Sequence, residues 1–147
     1  MIEQITYQNQ LIALIIASRF NQSGINFFTP PDFSQQLAYI NHPVGKIIQP
    51  HIHSHVTREV QFTQEVLFLR KGKLRADFYS CQQEYIKSYV LESGDVILLV
   101  NGGHGFEVIE EIEMIEVKQG PYIGEQDRIK FNGIGTEKVK LVEYSKV

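Results

Sequence analysis

Four of the five histidines in this chain lie between positions 42 and 55, and two of them have the spacing of metal ligands. His51 and His53 are separated by one residue. Side chains two positions apart in a β-strand point to the same face, with Cα atoms roughly 6.6 Å apart. Two imidazoles at that separation can reach one ion, because metal–nitrogen bonds are about 2 Å long. The spacing therefore predicts that a strand from Lys46 to His53 presents two metal ligands.

Glu65 and His104, which lie later in the chain, are candidates for the remaining metal ligands. Glu65 precedes an apolar strand and would face a hydrophobic interior, where an isolated carboxylate is costly to ionise unless a cation lies beside it. His104 follows Gly102-Gly103, and small residues allow the backbone to approach a buried site closely. We predict that Glu65 and His104 complete the metal site and that Glu65 is also the candidate catalytic acid–base residue. Glu59 is an alternative carboxylate ligand.

The other reactive residue types have simpler explanations. His55 would share the face of His53 only if the strand continued, so we expect it in a loop or at the mouth of a pocket. His42 is expected to be a surface or packing residue, and Cys81 an ordinary strand or turn cysteine. Imidazole ligands also need hydrogen-bond acceptors on their second nitrogen. Candidates for that role by sequence position are Gln36, Gln49 and Thr63.

Short apolar runs separated by turn signals predict about ten strands and little helix. The polar interruption Gln8-Asn9-Gln10 divides Ile5 to Arg19 into two strands, and Leu11 to Ala17 has the composition of a buried one. Thr29 is predicted to cap one helical turn that extends through Gln35. The remaining candidate strands are Ile25 to Phe28, Gln36 to Ile40, Val66 to Leu69, Leu74 to Tyr79, Tyr85 to Leu91, Val96 to Val100, Phe106 to Ile109, Ile112 to Lys118 and Lys138 to Tyr144.

Connections between these strands are also predicted from local sequence. Ser54 to Gln64 is polar and irregular, so we expect a loop there. Arg70-Lys71-Gly72-Lys73 predicts a hairpin tip, and the basic group that it forms with Arg75 is expected to be solvated. Ser93-Gly94-Asp95 predicts a turn, and Glu110-Glu111 a break between two strands. Spacings near 8–12 residues are typical of an all-β sandwich or barrel.

Composition excludes several classes of protein. A length of 147 residues, with 43% hydrophobic and 21% charged residues, is that of one globular domain spanning 1–147. The net charge of −3 and the scattered basic residues argue against nucleic-acid binding. A single cysteine excludes an internal disulfide and favours a reducing, cytoplasmic location. The apolar run from 11 to 17 is far shorter than the ~20 residues of a membrane helix, so no membrane association is expected.

The histidines, the glutamate and the glycines around them resemble the motifs of the cupin superfamily. The first cupin motif runs glycine, five residues, His-x-His, a few residues, glutamate, six residues, glycine. Gly45 through His53 matches its first half, and Glu65 through Gly72 matches its second half. Gly94-Asp95 opens the second cupin motif, and Asn101 to His104 closes it. The resemblance covers roughly residues 36–120.

The chain also departs from the cupin pattern at three places. Eleven residues separate His53 from Glu65 where the family usually has three or four, which keeps Glu59 open as the carboxylate ligand. Val100 stands where the second motif has proline, and His104 comes one residue early. Val108 stands at the position of the terminal asparagine.

The resemblance implies an antiparallel double-stranded β-helix, or jelly-roll barrel, holding one divalent transition metal. It divides the chain into N-terminal strands (1–44), the core motifs (45–120) and a C-terminal extension (121–147). Mixed nitrogen and oxygen ligands suit Fe, Mn, Ni, Co, Cu or Zn. Small cupins of this kind include isomerases, epimerases and dioxygenases that act on carbohydrate derivatives or carboxylic acids. The alternative is a non-catalytic module that binds a small ligand.

A partner subunit is also expected. Exposed strand edges usually need to be covered. We therefore predict a homodimer in which the segment from Ile5 to Phe20 pairs across the interface or packs on it.

Overall fold

The computed structural model describes residues 1–143, which form an all-β fold with almost no helix. Chain contacts divide it into two compact units, one made of Met1–Phe20 with the chain from Thr63 onward, and the other of Asn21–Phe62. The prediction of a single domain over 1–147 stays a prediction. The strands are β1 (Ile2–Tyr7), β2 (Gln10–Ile16), β3 (Gly24–Phe27), β4 (Ala38–Asn41), β5 (Glu65–Tyr79), β6 (Tyr85–Glu92), β7 (Val96–Leu99) and β8 (Gly103–Lys118).

The first unit is a curled antiparallel sheet that forms a half-barrel. Its strands follow the order β1-β2-β7-β5-β6, and β8 pairs with the long strand β5. Gln8 and Asn9 form the β1–β2 turn with φ values of 48° and 64°. Positive φ at both central residues is what a two-residue hairpin turn of type I′ requires, so the turn predicted at 8–10 is confirmed.

The prediction of a hairpin tip at Arg70-Lys71-Gly72-Lys73 was wrong. Strand β5 runs without interruption from Glu65 to Tyr79, and its pairing with β8 shifts register three times between Leu69 and Leu74. Gly72 lies within this bulged stretch at a φ of 84°, and a Cβ there would overlap the backbone carbonyl oxygen of Glu111. A bulge contains the same glycine and polar residues as a turn, which explains the error.

The predicted break at Glu110-Glu111 was wrong for the same reason. Strand β8 is continuous from Gly103 to Lys118, and Glu110 lies opposite Lys73 in the bulged stretch of β5. The glutamates of β8 are exposed along its length. The acidic residues are therefore solvated, and Glu110 and Glu111 pair with Lys73 and Lys71 of β5 across the bulge.

The bulge keeps the core on one face of the bent sheet. Before it, Leu67 and Leu69 are buried, and after it Leu74, Ala76 and Phe78 are buried. The buried positions change from odd to even numbers because one extra residue reverses the alternation of a strand. The rest of this core comes from β1, β2, β6 and β7, and it includes most of the predicted buried strand Leu11 to Ala17 and of the predicted strand Val96 to Val100.

The second unit contains one short hairpin, in which β3 pairs with β4. The Thr29 hydroxyl joins the ends of the connecting loop. It accepts a hydrogen bond from the Leu37 backbone N–H and donates one to Gln36 Oε1 at 2.9 Å. The predicted helical turn capped by Thr29 was wrong, since the loop consists of turns and bends. The predicted strand from Lys46 to His53 was also wrong, since that stretch has no regular secondary structure. The loop predicted for Ser54 to Gln64 is confirmed in that the stretch is irregular up to the start of β5.

The segment after β8 belongs to the first unit and packs on its strands. The Phe131 ring contacts the Tyr79 ring at 5.0 Å between centroids, and the Ile134 backbone N–H donates to the Tyr79 hydroxyl. A strand was predicted from Lys138 to Tyr144. In its described part, Leu141 forms one isolated parallel bridge with Ser88 of β6, and Tyr144 lies outside the described residues. Two 3-10 turns, Gly124–Asp127 and Thr136–Lys138, are its helical elements, and no helix in residues 1–143 could cross a membrane.

Candidate functional site

Two of the predicted site residues, Glu65 and His104, meet on the inner face of the bent sheet. Glu65 lies two residues before the buried Leu67 on β5 and therefore shares its face. His104 lies directly opposite the buried Phe78 on the neighbouring strand. Their positions are about 13 rungs apart on the β5–β8 ladder. At about 3.3 Å per residue, a straight ladder would hold them roughly 40 Å apart. His104 Nε2 lies 3.6 Å from Glu65 Oε2, so the bend at the bulge brings the two ends of the ladder together.

The carboxylate of Glu65 lies between two basic groups. Its Oε2 faces His104, and its Oε1 accepts a hydrogen bond from Lys118 Nζ at 3.3 Å. Lys118 is the cross-strand neighbour of Glu65 and also forms an ion pair with Glu116. Sequence reasoning missed Lys118, because nothing in the chain near residue 118 marks it. Only the β5–β8 register places it beside Glu65.

The protonation state of His104 suits a metal ligand. Burial lowers the pKa of the His104 imidazole below its ordinary value, the carboxylate of Glu65 acts in the opposite direction, and the ammonium of Lys118 lowers the pKa further. The neutral imidazole therefore predominates at pH 7, and the neutral form is the one that binds a metal. The side chains of Glu65 and His104 keep 18% and 32% of their surface exposed, so the pair is accessible to a small molecule.

The backbone around His104 packs closely against β5, as the two preceding glycines predict. Gly102 has a φ of 72°, and a Cβ there would overlap the Tyr79 carbonyl oxygen. A Cβ on Gly103 would lie 2.8 Å from the Phe131 ring. The His104 ring in turn lies 5.5 Å from that of Phe106, two residues further along the same face. The position of His104 is therefore fixed by backbone contacts on one side and an aromatic ring on the other.

The other predicted pair, His51 and His53, belongs to the second unit. Although the backbone there is not a strand, the two rings lie close together, with centroids 5.3 Å apart and planes at 76°. His51 Nδ1 lies 2.9 Å from the Gln49 carbonyl oxygen. A hydrogen bond to a carbonyl requires Nδ1 to donate, which leaves the Nε2 lone pair of His51 available to a metal. Both side chains are exposed.

The remaining candidates lie elsewhere. Glu59 and His55 are exposed in the irregular stretch before β5, and His42 follows β4. Of the three predicted hydrogen-bond acceptors, only Gln49 contacts a candidate ligand, and it does so through its backbone. Thr63 donates to Asp127 at 2.7 Å, and the Gln36 amide bonds to Pro30 and Phe33. Within residues 1–143, no three His, Cys, Asp or Glu side chains are grouped closely enough to hold a metal.

A buried polar network on the other face of the sheet was not predicted. Arg75 was expected on a solvated hairpin tip, but its guanidinium binds both carboxylate oxygens of the buried Asp77, at 2.9 and 3.0 Å. Arg75 also pairs with Glu107 at 2.5 Å, and Ser88 donates to Asp77. Both oxygens of the carboxylate accept hydrogen bonds, so this network stabilises the sheet.

The geometry of the Glu65–His104 pair fits two ligands of one ion. Two donors 3.6 Å apart can both reach one ion, because metal–nitrogen and metal–oxygen bonds are about 2.0–2.2 Å long. A neutral imidazole and a carboxylate are donors that divalent transition metals accept. Each of the two pairs therefore has donor types that a divalent metal accepts.

Comparisons with models of known protein families, with curated proteins and with solved structures found no match for this chain.

Proposed function

We propose that the chain is a metal-binding cupin and a metal-dependent enzyme acting on a small polar metabolite. In this proposal one divalent transition metal is bound by His51, His53, Glu65 and His104, and the sheet belongs to a jelly-roll barrel. The observation that carries the proposal is the 3.6 Å contact between His104 and Glu65, two side chains from opposite ends of a long strand pair. A carboxylate and an imidazole in contact are two donor groups that a divalent transition metal accepts.

Each of the four residues would have a definite role in the proposed site. His51, His53, His104 and Glu65 would hold the ion, which would supply Lewis-acid chemistry. Glu65 would contribute the negative charge, and it is the proposed catalytic acid–base residue. A hydrogen bond from His51 Nδ1 to the Gln49 carbonyl would leave His51 Nε2 free to bind the ion, and the close packing at Gly102-Gly103 positions the backbone before His104. The proposed reaction class is isomerisation, epimerisation or dioxygenation of a carbohydrate derivative or carboxylic acid.

Metal stoichiometry after chelation and reloading tests the site directly. We expect the wild-type chain to bind about one Co(II), Ni(II) or Mn(II) per chain. His104→Ala and His51→Ala should each weaken binding at least 100-fold, because a ligand and not a supporting residue is removed. His42→Ala is the matched control and should bind like the wild type. Failure of the wild type to take up any of the three ions would contradict the proposal, as would an equal loss in the His42 variant.

The same measurement identifies the carboxylate ligand. Glu65→Gln should lose metal affinity and Glu59→Gln should keep it. The reverse result would assign the ligand to Glu59.

A screen of the metal-loaded protein against sugars and carboxylic acids then separates an enzyme from a binding module. Turnover that is lost in His51→Ala supports the enzyme, whereas tight ligand binding that is unaffected by a chelator supports the module.

The proposed homodimer uses the N-terminal strands. Strand β1 is the end of the sheet path within residues 1–143, and the edge of an end strand is available for pairing with another chain. Light scattering at micromolar concentration should give the mass of two chains. The mass of one chain would contradict this part of the proposal.

A further inference from the structure

The β3–β4 hairpin of the second unit has one apolar face, and that face is exposed. Residues directly opposite each other in an antiparallel pair point to the same side of the sheet. The register places Ile25 opposite Ile40 and Phe27 opposite Ala38, so these four side chains share a face. Ile25, Phe27 and Ile40 leave 56%, 64% and 57% of their surface in solvent. A two-stranded hairpin is marginally stable at best on its own, so this face needs a surface to pack against.

The second unit has little buried core of its own. Within residues 21–62, the one buried residue is Thr29. The large apolar side chains exposed in this range are Ile25, Phe27, Ile40, Val44, Ile47, Ile48, Ile52, Val56, Val60 and Phe62. Together they leave on the order of 400–800 Å² of apolar surface in solvent. Each partner in a standard protein–protein interface buries about 800 Å², so the unit has enough surface for a stable contact with another chain.

The distribution of charge favours a second copy of this chain as the partner. Within residues 21–41, which include the hairpin, the one charged side chain is Asp32, in the connecting loop. Two copies of the hairpin face can therefore approach each other without repulsion between like charges. Strand β8 is the contrasting surface, because five of its 16 residues are glutamates. Two copies pairing along β8 would bring like charges together, which is destabilising.

The shape of the hairpin face is also suited to contact with its own copy. Phe27 is large, and Ala38 directly opposite it is small. When two such faces pack about a twofold axis, Phe27 of each copy can lie over Ala38 of the other. Large and small residues that interdigitate in this way fill the space between two stacked sheets.

We infer that the apolar face of the β3–β4 hairpin is a contact surface of the homodimer, where it packs on the same face of a second copy. The inference rests on the proposed homodimer and assigns it a contact beyond the edge of β1. It does not depend on a bound metal.

Sedimentation equilibrium of the full chain tests the inference through the dissociation constant of the dimer. Ile40→Glu should raise this constant by about 30-fold or more, because the interface would bury an unpaired carboxylate. Ile115→Glu is the matched control, since Ile115 is also an isoleucine on a strand and is 48% exposed, but lies in the first unit. This control should keep the wild-type dissociation constant.

Two complementary variants test the arrangement of the two faces. Phe27→Glu and Ala38→Lys should each have the mass of one chain at micromolar concentration. Mixed in equal amounts, they should regain the mass of two chains. In the mixed dimer the introduced carboxylate and ammonium meet across one contact, and the other contact keeps Phe27 over Ala38. A mixture that stays at the mass of one chain would overturn the face-to-face arrangement.

The outcomes also separate the inference from the homodimer beneath it. A wild-type chain with the mass of one chain refutes the homodimer, and the inference fails with it. Wild-type dissociation constants in both Ile40→Glu and Phe27→Glu would overturn the inference alone and leave the dimer contact to other surfaces. A lower urea midpoint of Ile40→Glu at an unchanged dissociation constant would also overturn it, because the face would then be covered within one chain.

Discussion

The bend in the β5–β8 ladder depends on Gly72, and replacing this glycine with alanine tests how the fold assembles the site. Gly72 has a φ of 84°, a conformation that costs a residue with a Cβ roughly 1–2 kcal/mol. The three atoms nearest to the new Cβ would all be backbone atoms of Glu110 and Glu111, which cannot rotate away. Relieving that overlap should cost a further ~1–3 kcal/mol.

The expected loss for Gly72→Ala is therefore about 2–5 kcal/mol, a large fraction of the ~5–15 kcal/mol that stabilises a typical domain. With a urea dependence of about 2 kcal/mol per molar, the unfolding midpoint should fall by roughly 1–2.5 M. Gly124→Ala is the matched control, because Gly124 also has a positive φ, of 74°, but no atom lies within 4 Å of the new Cβ. It should lose only about 1–2 kcal/mol.

The Gly72 variant should also separate Glu65 from His104, because both lie at the far ends of the ladder that the bulge bends. We expect Co(II) affinity to fall in Gly72→Ala and to stay at the wild-type value in Gly124→Ala. Equal urea midpoints for the two variants would refute the argument that backbone overlap at the bulge is costly. Unchanged Co(II) affinity in a clearly destabilised Gly72→Ala would refute the link between the bend and the site.

Three further results are expected. Asp77→Asn should lower the free energy of unfolding by about 2–3 kcal/mol in urea titrations, because Arg75 loses a charged partner; a loss under about 0.5 kcal/mol would contradict this. Burial, with the hydrogen bond to Glu3, raises the pKa of the Tyr89 hydroxyl, so only the unfolded chain loses this proton just above pH 10. The stability that Tyr89 contributes is complete below pH 10 and declines as the pH rises further. The free energy of unfolding of Tyr89→Phe should therefore fall less steeply above pH 10 than that of the wild type. Parallel pH profiles for the two proteins would count against this prediction. Metal at 100 times its dissociation constant should add about 2.7 kcal/mol to stability, and a chelator should remove it; equal melting temperatures with and without chelator would contradict specific binding.

The sequence determined those features whose signal lies within a few neighbouring residues. The turns at Gln8-Asn9 and Ser93-Gly94-Asp95, and the buried strands before and after them, follow from local conformational preference and from runs of apolar residues. The all-β class follows from the repetition of such signals. The side of β5 on which Glu65 lies also follows, because alternation along a strand places it with Leu67 and Leu69.

The tertiary structure decided the rest, because the deciding contacts are far apart in the chain. A glycine in a polar stretch has the same local signal in a turn as in a bulge, and only pairing with a neighbouring strand distinguishes them at Gly72. The meeting of Glu65 with His104 requires that bend, and the presence of Lys118 beside them requires the register of the whole ladder. Residue types thus define which chemistry is available, while the curvature and register of two long strands determine which of those residues come within bonding distance.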